Sequence, residues 1–148
     1  MCLGFMPSSA IRDEYHLTEL YELGVAAIRG DVLSFETILL HNQKSFIRLG
    51  IYLVLVHVKT IAYRNLFKRI MGIVNSLSSS TSTGRLNLTI CEGIMNKLLG
   101  MDVDLDEIEC IISNLIFSGR IKGYLSHQKR YLIVSKTDPF PISAVIKR

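Results

Sequence analysis

The fold is decided by residues 104–136, which have the sequence DLDEIECIISNLIFSGRIKGYLSHQKRYLIVSK. The first half of this stretch places apolar residues three and four positions apart, which is the spacing of one buried helix side. These residues are Leu105, Ile108, Ile111, Ile112, Leu115 and Ile116. Asp104 followed by Glu107 is typical of a capped helix start, and Gly119 is typical of a helix end.

Two short strands are predicted after Gly119. Residues 121–125 and 131–134 are rich in β-branched and aromatic side chains and have the length of strands. The polar and basic residues 126–130 between them suit a hairpin loop. A helix followed by such a hairpin, called a wing, forms the end of a winged helix, and we predict that fold here.

The spacing of apolar residues predicts four helices, a loop, a short strand and a fifth helix ahead of this stretch. The ranges are 12–29, 31–42, 46–62 and 64–77 for the four helices, 78–84 for the loop, 86–88 for the strand and 89–99 for the fifth helix. The third helix is apolar on nearly every side, which predicts that it is covered on several sides. In the fifth helix, Ile90 is predicted to face inward.

The order of these elements predicts the fold class. From Arg64 onward the order is helix, short strand, helix, helix, strand, strand, which is the order of a winged helix. The helices before it are joined by short connections and should stack as antiparallel neighbours. We therefore predict a mainly α protein with a small β wing, with an antiparallel helical stack in residues 1–63 and a winged helix with a C-terminal tail in residues 64–148.

Charge is unevenly distributed along the 148 residues. Residues 120–148 hold seven Lys or Arg and one acidic residue, whereas residues 1–119 hold ten Lys or Arg and twelve acidic residues. A basic C-terminal quarter indicates an anionic partner, and nucleic acid is the commonest one. The alternative is a solvated basic tail with no partner.

No residue pattern points to catalysis or to a bound cofactor or metal ion. The four His are scattered, and the three Cys have no metal-ligand spacing. Cys91 and Cys110 lie within helical patterns, so we predict that both are small buried residues. The apolar run at residues 49–58 is too short for a membrane span and is predicted to be a core helix.

The wing is the better of two candidate nucleic-acid surfaces. The predicted recognition helix begins with Asp106, Glu107 and Glu109, whose carboxylates would repel phosphates and oppose sequence-specific reading. The wing region carries the predicted phosphate contacts, with Tyr124, His127 and Tyr131 available for stacking. The phosphate-contact candidates are Arg120, Lys122, His127, Lys129, Arg130 and Lys136. The alternative is that these side chains only solvate the hairpin edge.

Several segments resemble the PCI family, whose members are helical-repeat and winged-helix subunits of the proteasome lid, the signalosome and a translation initiation factor. The resemblance is greatest to the PCI-domain subunits of the nuclear complex that couples transcription to mRNA export, the second TREX complex. The segments are YHL at 15–17, AIRGD at 27–31, FIRLGI at 46–51, YRNLFK at 63–68, VDLDE at 103–107, NLI at 114–116, KGYLSHQ at 122–128, VSK at 134–136 and PFP at 139–141.

This resemblance implies a non-enzymatic nuclear subunit. It implies a large scaffold protein and a small acidic protein of the Sem/DSS type as partners, RNA or DNA as a ligand, and an association with the nuclear pore through the complex. Family members carry further helical repeats upstream, so a truncated product or fragment is expected. The alternative is a signalosome or proteasome-lid type subunit without nucleic-acid contact.

Five residues are candidates for contacts with partner proteins. Periodicity predicts that Arg64, Lys68 and Arg69 face outward, where they would extend the basic surface or meet the acidic partner. Tyr124 is the aromatic candidate on the wing. Phe140, between Pro139 and Pro141, is expected to anchor an irregular C-terminal tail.

Overall fold

A computed structural model of the chain describes residues 18–77, 84–97 and 100–141. Predictions for residues 12–17, for most of the 78–84 loop, for residues 98–99 and for the end of the tail lie outside these ranges. The described part is mainly helical with a small sheet, which confirms the predicted fold class. Its elements are α1 (Thr18–Arg29), α2 (Val32–His41), α3 (Gln43–Arg48), α4 (Tyr52–Leu77), β1 (Arg85–Asn87), α5 (Leu88–Lys97), α6 (Leu105–Phe117), β2 (Gly123–Ser126) and β3 (Tyr131–Val134).

The chain divides into two compact units, one ending at Leu66 and the other beginning at Phe67. In the first unit α1 and α2 pack together. Asp31 caps α2, because its carboxylate accepts hydrogen bonds from the backbone N–H of Ser34 at 3.0 Å and from the Ser34 hydroxyl at 2.7 Å. Asn65 links α4 to the end of α1 by donating from Nδ2 to the Ala27 carbonyl at 2.8 Å. The buried residues include Leu23, Ala26, Ala27, Val32, Phe35, Leu39, Phe46, Leu55 and Val58.

The predicted boundary between helices 46–62 and 64–77 is wrong. Helix α4 runs without a break through this point, because no residue near position 63 is a Gly or Pro that would interrupt it. The chain breaks earlier, at Gly50, which has φ +70°. The N–H of Gly50 donates to the Ile47 carbonyl and the N–H of Ile51 to the Phe46 carbonyl, both at 3.0 Å, which closes the end of α3.

The start of α4 is also less covered than its composition predicts. Leu55 and Val58 are each only 3% exposed, but Leu53 is 80% exposed and Val54 is 47% exposed. Within the described residues, this part of α4 therefore has one buried side. The prediction that it is covered on several sides is wrong. No helix in the described ranges has the length and apolar character needed to cross a membrane.

The second unit contains an antiparallel sheet in the order β1-β3-β2. In the centre of the sheet Leu132 lies opposite Leu86 on one side and opposite Leu125 on the other. Leu86 and Leu132 are fully buried, whereas Leu125 is partly exposed. The inner side of the sheet thus faces the core that α5 and α6 complete.

The strand predicted at residues 86–88 is shifted by one residue. Leu88 begins α5 and is fully buried. The carboxamide oxygen of Asn87 accepts a hydrogen bond from the backbone N–H of Thr89 at 2.9 Å, as a helix cap does, so the chain passes from strand to helix without a connecting loop.

The buried side of α5 differs in part from the predicted one. Leu88, Cys91 and Met95 form the buried side, and Ile90, which was predicted to face inward, is 45% exposed. Cys91 is buried as predicted, and burial raises the pKa of its thiol to about 12. Cys110 was predicted to be buried but is exposed, because it lies on α6 away from the buried Ile108 and Ile112.

Helix α6 has the ends predicted for it. Asp104 accepts a hydrogen bond from the backbone N–H of Glu107 at 2.7 Å, and Gly119 has φ +70° after the last turn. Strand β2 begins at Gly123 and not at residue 121. The N–H of Ile121 donates to the Leu115 carbonyl at 3.1 Å and that of Lys122 to the Pro139 carbonyl at 2.9 Å, so neither is available to the sheet.

Asn96 fixes the connection between α5 and α6. Its side-chain oxygen accepts from the backbone N–H of Val103 at 3.0 Å, and its Nδ2 donates to the Val103 carbonyl at 2.8 Å. This pair of hydrogen bonds has no signature in the sequence.

We predict that Gly123→Ala strongly destabilises the second unit. A Cβ at this position would lie 2.9 Å from the Cα of Val134 and even closer to the Ile133 carbonyl, so β2 and β3 would have to separate. The free energy of unfolding should fall by about 2 kcal/mol or more, as measured by urea denaturation.

Gly93→Ala is the matched control for this prediction. Gly93 lies inside α5 with no atom within 4 Å of the added Cβ, so the substitution should stabilise the protein by ~0.5–1 kcal/mol. If the two substitutions changed the free energy of unfolding equally, the close contact between β2 and β3 at Gly123 would not be what makes this glycine necessary.

Candidate nucleic-acid interface

The turn of the wing is built around Arg130. This residue has φ +53°, a backbone conformation that residues other than Gly and Asn rarely adopt. Its N–H donates to the His127 carbonyl at 3.2 Å, and its carbonyl accepts from the N–H of Leu88 at 3.0 Å. Backbone hydrogen bonds on both sides therefore hold the strained residue in place and join the turn to the start of α5.

The Arg130 side chain bonds to carboxylates at the start of α6. Its Nη1 lies 2.7 Å from Oε1 of Glu109 and 2.9 Å from Oδ1 of Asp106. The other oxygen of Glu109, Oε2, lies 2.7 Å from Nδ1 of His127. We refer to these four residues as the acidic clamp. Two of the three carboxylates that were predicted to repel phosphates, Asp106 and Glu109, therefore bind side chains of the wing.

The acidic clamp changes the pKa of two of its members. Burial by itself would raise the pKa of Glu109, but hydrogen bonds from His127 and Arg130 outweigh it and lower that pKa. Hydrogen bonds to Asp106 and Glu109 raise the pKa of Arg130. The charged forms of the carboxylate and the guanidinium are thus both favoured in the folded protein.

The remaining predicted phosphate contacts differ widely in exposure. Arg120 is only 5% exposed, which corrects its assignment as a phosphate contact, because its backbone is drawn against the end of α6 by a 2.8 Å hydrogen bond to the Leu115 carbonyl. Lys122 forms an ion pair with Asp138 at 3.2 Å. Lys129 and Lys136 are exposed and have no ion pair within the described residues. Of the six predicted phosphate contacts, Lys129 and Lys136 are therefore the ones that are both exposed and without an ion pair in the described residues.

The predicted partner contacts also divide into exposed and buried residues. Lys68 and Arg69 are exposed as predicted, and Tyr124 is 63% exposed. Arg64 was predicted to face outward but is 5% exposed, because in an unbroken α4 it lies on the side of the buried Ile61. Phe140 is 6% exposed, so it is placed to anchor the chain after β3 and not to contact a partner directly.

The outer side of the sheet forms a groove of about 510 Å³. The strand register places Arg85, Ile133 and Tyr124 in one row across the three strands, and Asn87, Tyr131 and Ser126 in the next row. The end of α4, Ile90 and Lys129 complete the walls. We call this feature the sheet groove, and its lining residues are Val74, Asn75, Arg85, Asn87, Ile90, Tyr124, Ser126, Lys129, Tyr131 and Ile133.

The sheet groove combines two cations with two aromatic rings. Arg85 and Lys129 are exposed and have no ion pair in the described part of the chain. The Tyr131 hydroxyl accepts a hydrogen bond from Nδ2 of Asn87 at 3.4 Å, which fixes one ring. Sequence reasoning included Tyr124, Lys129 and Tyr131 but missed Arg85 and Asn87, because only the pairing of β1 with β3 brings them to the same surface.

Comparison with known proteins identifies the family. Residues 39–136, which include α4 to α6 and the sheet, match the PCI domain. The chain belongs to the PCI domain family. Proteins of this family are generally non-catalytic subunits that bind other proteins, so the family resemblance in the sequence is confirmed.

Relatives in distant eukaryotes show that this PCI domain is widespread. The chain is 40% identical to PCI domain-containing protein 2 of Xenopus laevis and 38% identical to its homologue in Drosophila melanogaster, each over 95% of the chain. It is 37% identical to Enhanced ethylene response protein 5 of Arabidopsis thaliana, also over 95% of the chain. In all three cases the chain spans 34% of the relative's own length, or about one third.

We predict that Glu109→Gln weakens the acidic clamp and removes part of the pH dependence of stability. Because the pKa of Glu109 is lowered on folding, its contribution is fully present above the ordinary carboxyl pKa of about 4.3 and is lost as the pH falls through the lowered value. The measurement is urea denaturation at neutral pH and at several pH values below 4.3.

Glu107→Gln is the control, because Glu107 is an exposed neighbour on α6 without an ion pair in the described ranges. At neutral pH, Glu109→Gln should be less stable than Glu107→Gln. The difference should shrink as the pH is lowered. A constant difference at every pH would show that the Glu109 charge does not stabilise the fold.

Proposed function

We propose that this PCI protein is a scaffold subunit of a nuclear complex that couples transcription to mRNA export, and that it binds RNA without sequence specificity, with DNA as a second ligand. Membership of the PCI family supports the scaffold role. The resemblance to the export-complex subunits supports the nuclear setting and a place at the nuclear pore. The observation that carries the RNA proposal is a set of exposed cations in the second unit that form no ion pair within the described residues, namely Arg85, Lys129 and Lys136.

The distribution of charge supports binding without sequence specificity. A helix that reads bases in the major groove places its N-terminal turn close to the phosphates. The first turn of α6 carries Asp106 and Glu107, whose negative charges oppose such an approach. Away from this turn, the second unit carries exposed cations that form no ion pair in the described part of the chain, among them Arg85, Lys129 and Lys136. Contacts of this kind bind the backbone of a nucleic acid, and their strength falls steeply with salt.

Two further surfaces support protein partners. The exposed Lys68 and Arg69 suit an acidic partner, and we assign them to the small acidic protein of the Sem/DSS type. The exposed apolar residues at the start of α4, among them Leu53 and Val54, suit a larger protein surface, which we assign to the large scaffold subunit.

The second candidate is a protein-interaction subunit of the signalosome or proteasome-lid type, which has no nucleic-acid contact. The acidic clamp favours this alternative, because it neutralises the wing's Arg130 internally. Salt-dependent RNA binding separates the two candidates, because only the first requires phosphate contacts.

We expect the chain to copurify with the large scaffold subunit and the small acidic protein when the three are expressed together. The purified complex should bind labelled RNA more weakly as salt is raised, and Lys129→Glu should reduce the slope of log affinity against log salt by at least ~0.7. Lys44→Glu, at an exposed position of α3, is the control and should leave the slope unchanged.

Two results would contradict the proposal. If the three proteins do not copurify, the chain does not have the assigned scaffold role. If the complex forms but binds no RNA at low salt, the protein-interaction alternative is correct.

A further inference from the structure

We propose that the sheet groove is a binding site for unpaired nucleotides of single-stranded RNA, with a base stacked on Tyr124 and the flanking phosphates bound by Arg85 and Lys129. The inference rests on the proposed RNA binding and adds its location and the strand state of the ligand. It moves the interface from the tip of the wing to the outer side of the sheet.

The strand register provides the platform for a base. Side chains two residues apart on a strand share a side of the sheet, so the outer side presents Tyr124 from β2 beside Ile133 and Tyr131 from β3. Sheet surfaces with exposed aromatic rings are a recurring means of binding single-stranded RNA, because every base has a face that can stack on a ring.

One ring is fixed before any ligand arrives. Asn87 donates from Nδ2 to the Tyr131 hydroxyl, while its side-chain oxygen accepts from the N–H of Thr89. Both the nitrogen and the oxygen of the Asn87 side chain therefore form hydrogen bonds. Tyr124, at 63% exposure, is the ring with the larger open face. Because the Tyr131 ring is already held in place, less side-chain conformational entropy is lost when a ligand binds.

The cations are divided between the two sides of the wing. Arg130 is held by Glu109 and Asp106 of α6, whereas its neighbour Lys129 lines the sheet groove. Arg85 lies in the same row as Tyr124, with Ile133 between them. No carboxylate is present among the ten residues that line the groove. Its charged side chains are thus all available to phosphates.

Size and chemistry favour a single strand over a duplex or a peptide. A groove of about 510 Å³ lies within the range of small-ligand sites. The bases of a duplex keep their faces stacked inside the helix and cannot reach the rings. An acidic peptide that extends the sheet would bind along a strand edge, whereas this groove lies over the strand faces. The amide of Asn75, which also lines the groove, suits the hydrogen-bonding edge of a base.

The test measures binding of a labelled oligouridine and of an RNA duplex of equal length to the copurified complex, by fluorescence anisotropy at two salt concentrations. Tyr124→Leu should weaken oligouridine binding about tenfold or more, whereas Tyr124→Phe, which keeps the ring, should bind like wild type. Duplex binding should change little with either substitution. Arg85→Gln should weaken oligouridine binding and reduce its salt slope.

Thermal unfolding of each variant will show whether it is folded, and Tyr124 is exposed enough to be replaced without loss of the core. If RNA binds but Tyr124→Leu does not weaken the binding, the sheet groove is wrong and the proposed RNA function stands. If the wild-type complex binds no RNA, both the sheet-groove site and the proposed RNA-binding function are wrong. If an acidic peptide displaces the RNA and itself depends equally on Tyr124, the groove is a peptide site and the inference is overturned.

Discussion

The middle strand, β3, determines the arrangement of the second unit, because it pairs with a strand on each side. Its inner residue Leu132 lies between Leu86 and Leu125, and its outer residues Tyr131 and Ile133 form the floor of the sheet groove. Both the core and the candidate interface therefore depend on one register. A slip by one residue would move the apolar side outward and the aromatic side inward. The close approach at Gly123 and the cap formed by Asn87 oppose such a slip from opposite edges of the sheet.

The two sides of the wing differ in how their basic side chains are paired. The acidic clamp holds Arg130 and His127 against α6 through Glu109, so these two side chains stabilise the fold. Lys129, one residue earlier, lies on the other side and is available to a ligand. Adjacent basic residues in a sequence thus have different roles. The positive φ of Arg130 is part of this division, because it turns the backbone at the point where the two side chains separate.

Periodic features of the fold could be predicted from the sequence, whereas long-range contacts could not. The regular apolar spacing of α6 and the signals at Asp104 and Gly119 are local, and they gave the helix and its ends correctly. The break at Gly50 was missed because it lies inside an apolar run, where packing and not composition decides the boundary. The contacts of the acidic clamp join residues 18 to 24 positions apart, so no local pattern reveals them. Arg85 joins the candidate site only through strand pairing.

The direct junction between β1 and α5 restricts how the length of this part of the chain can vary. Asn87 ends the strand and Leu88 begins the helix, with no residue between them to absorb a change. One inserted residue would rotate α5 by about 100° relative to the sheet. Cys91 and Met95 would then leave the core, and the N–H now bonded to the Arg130 carbonyl would belong to a different residue. An insertion or deletion at this junction therefore disrupts the core, whereas an exchange of side chains leaves the position of α5 on the sheet intact.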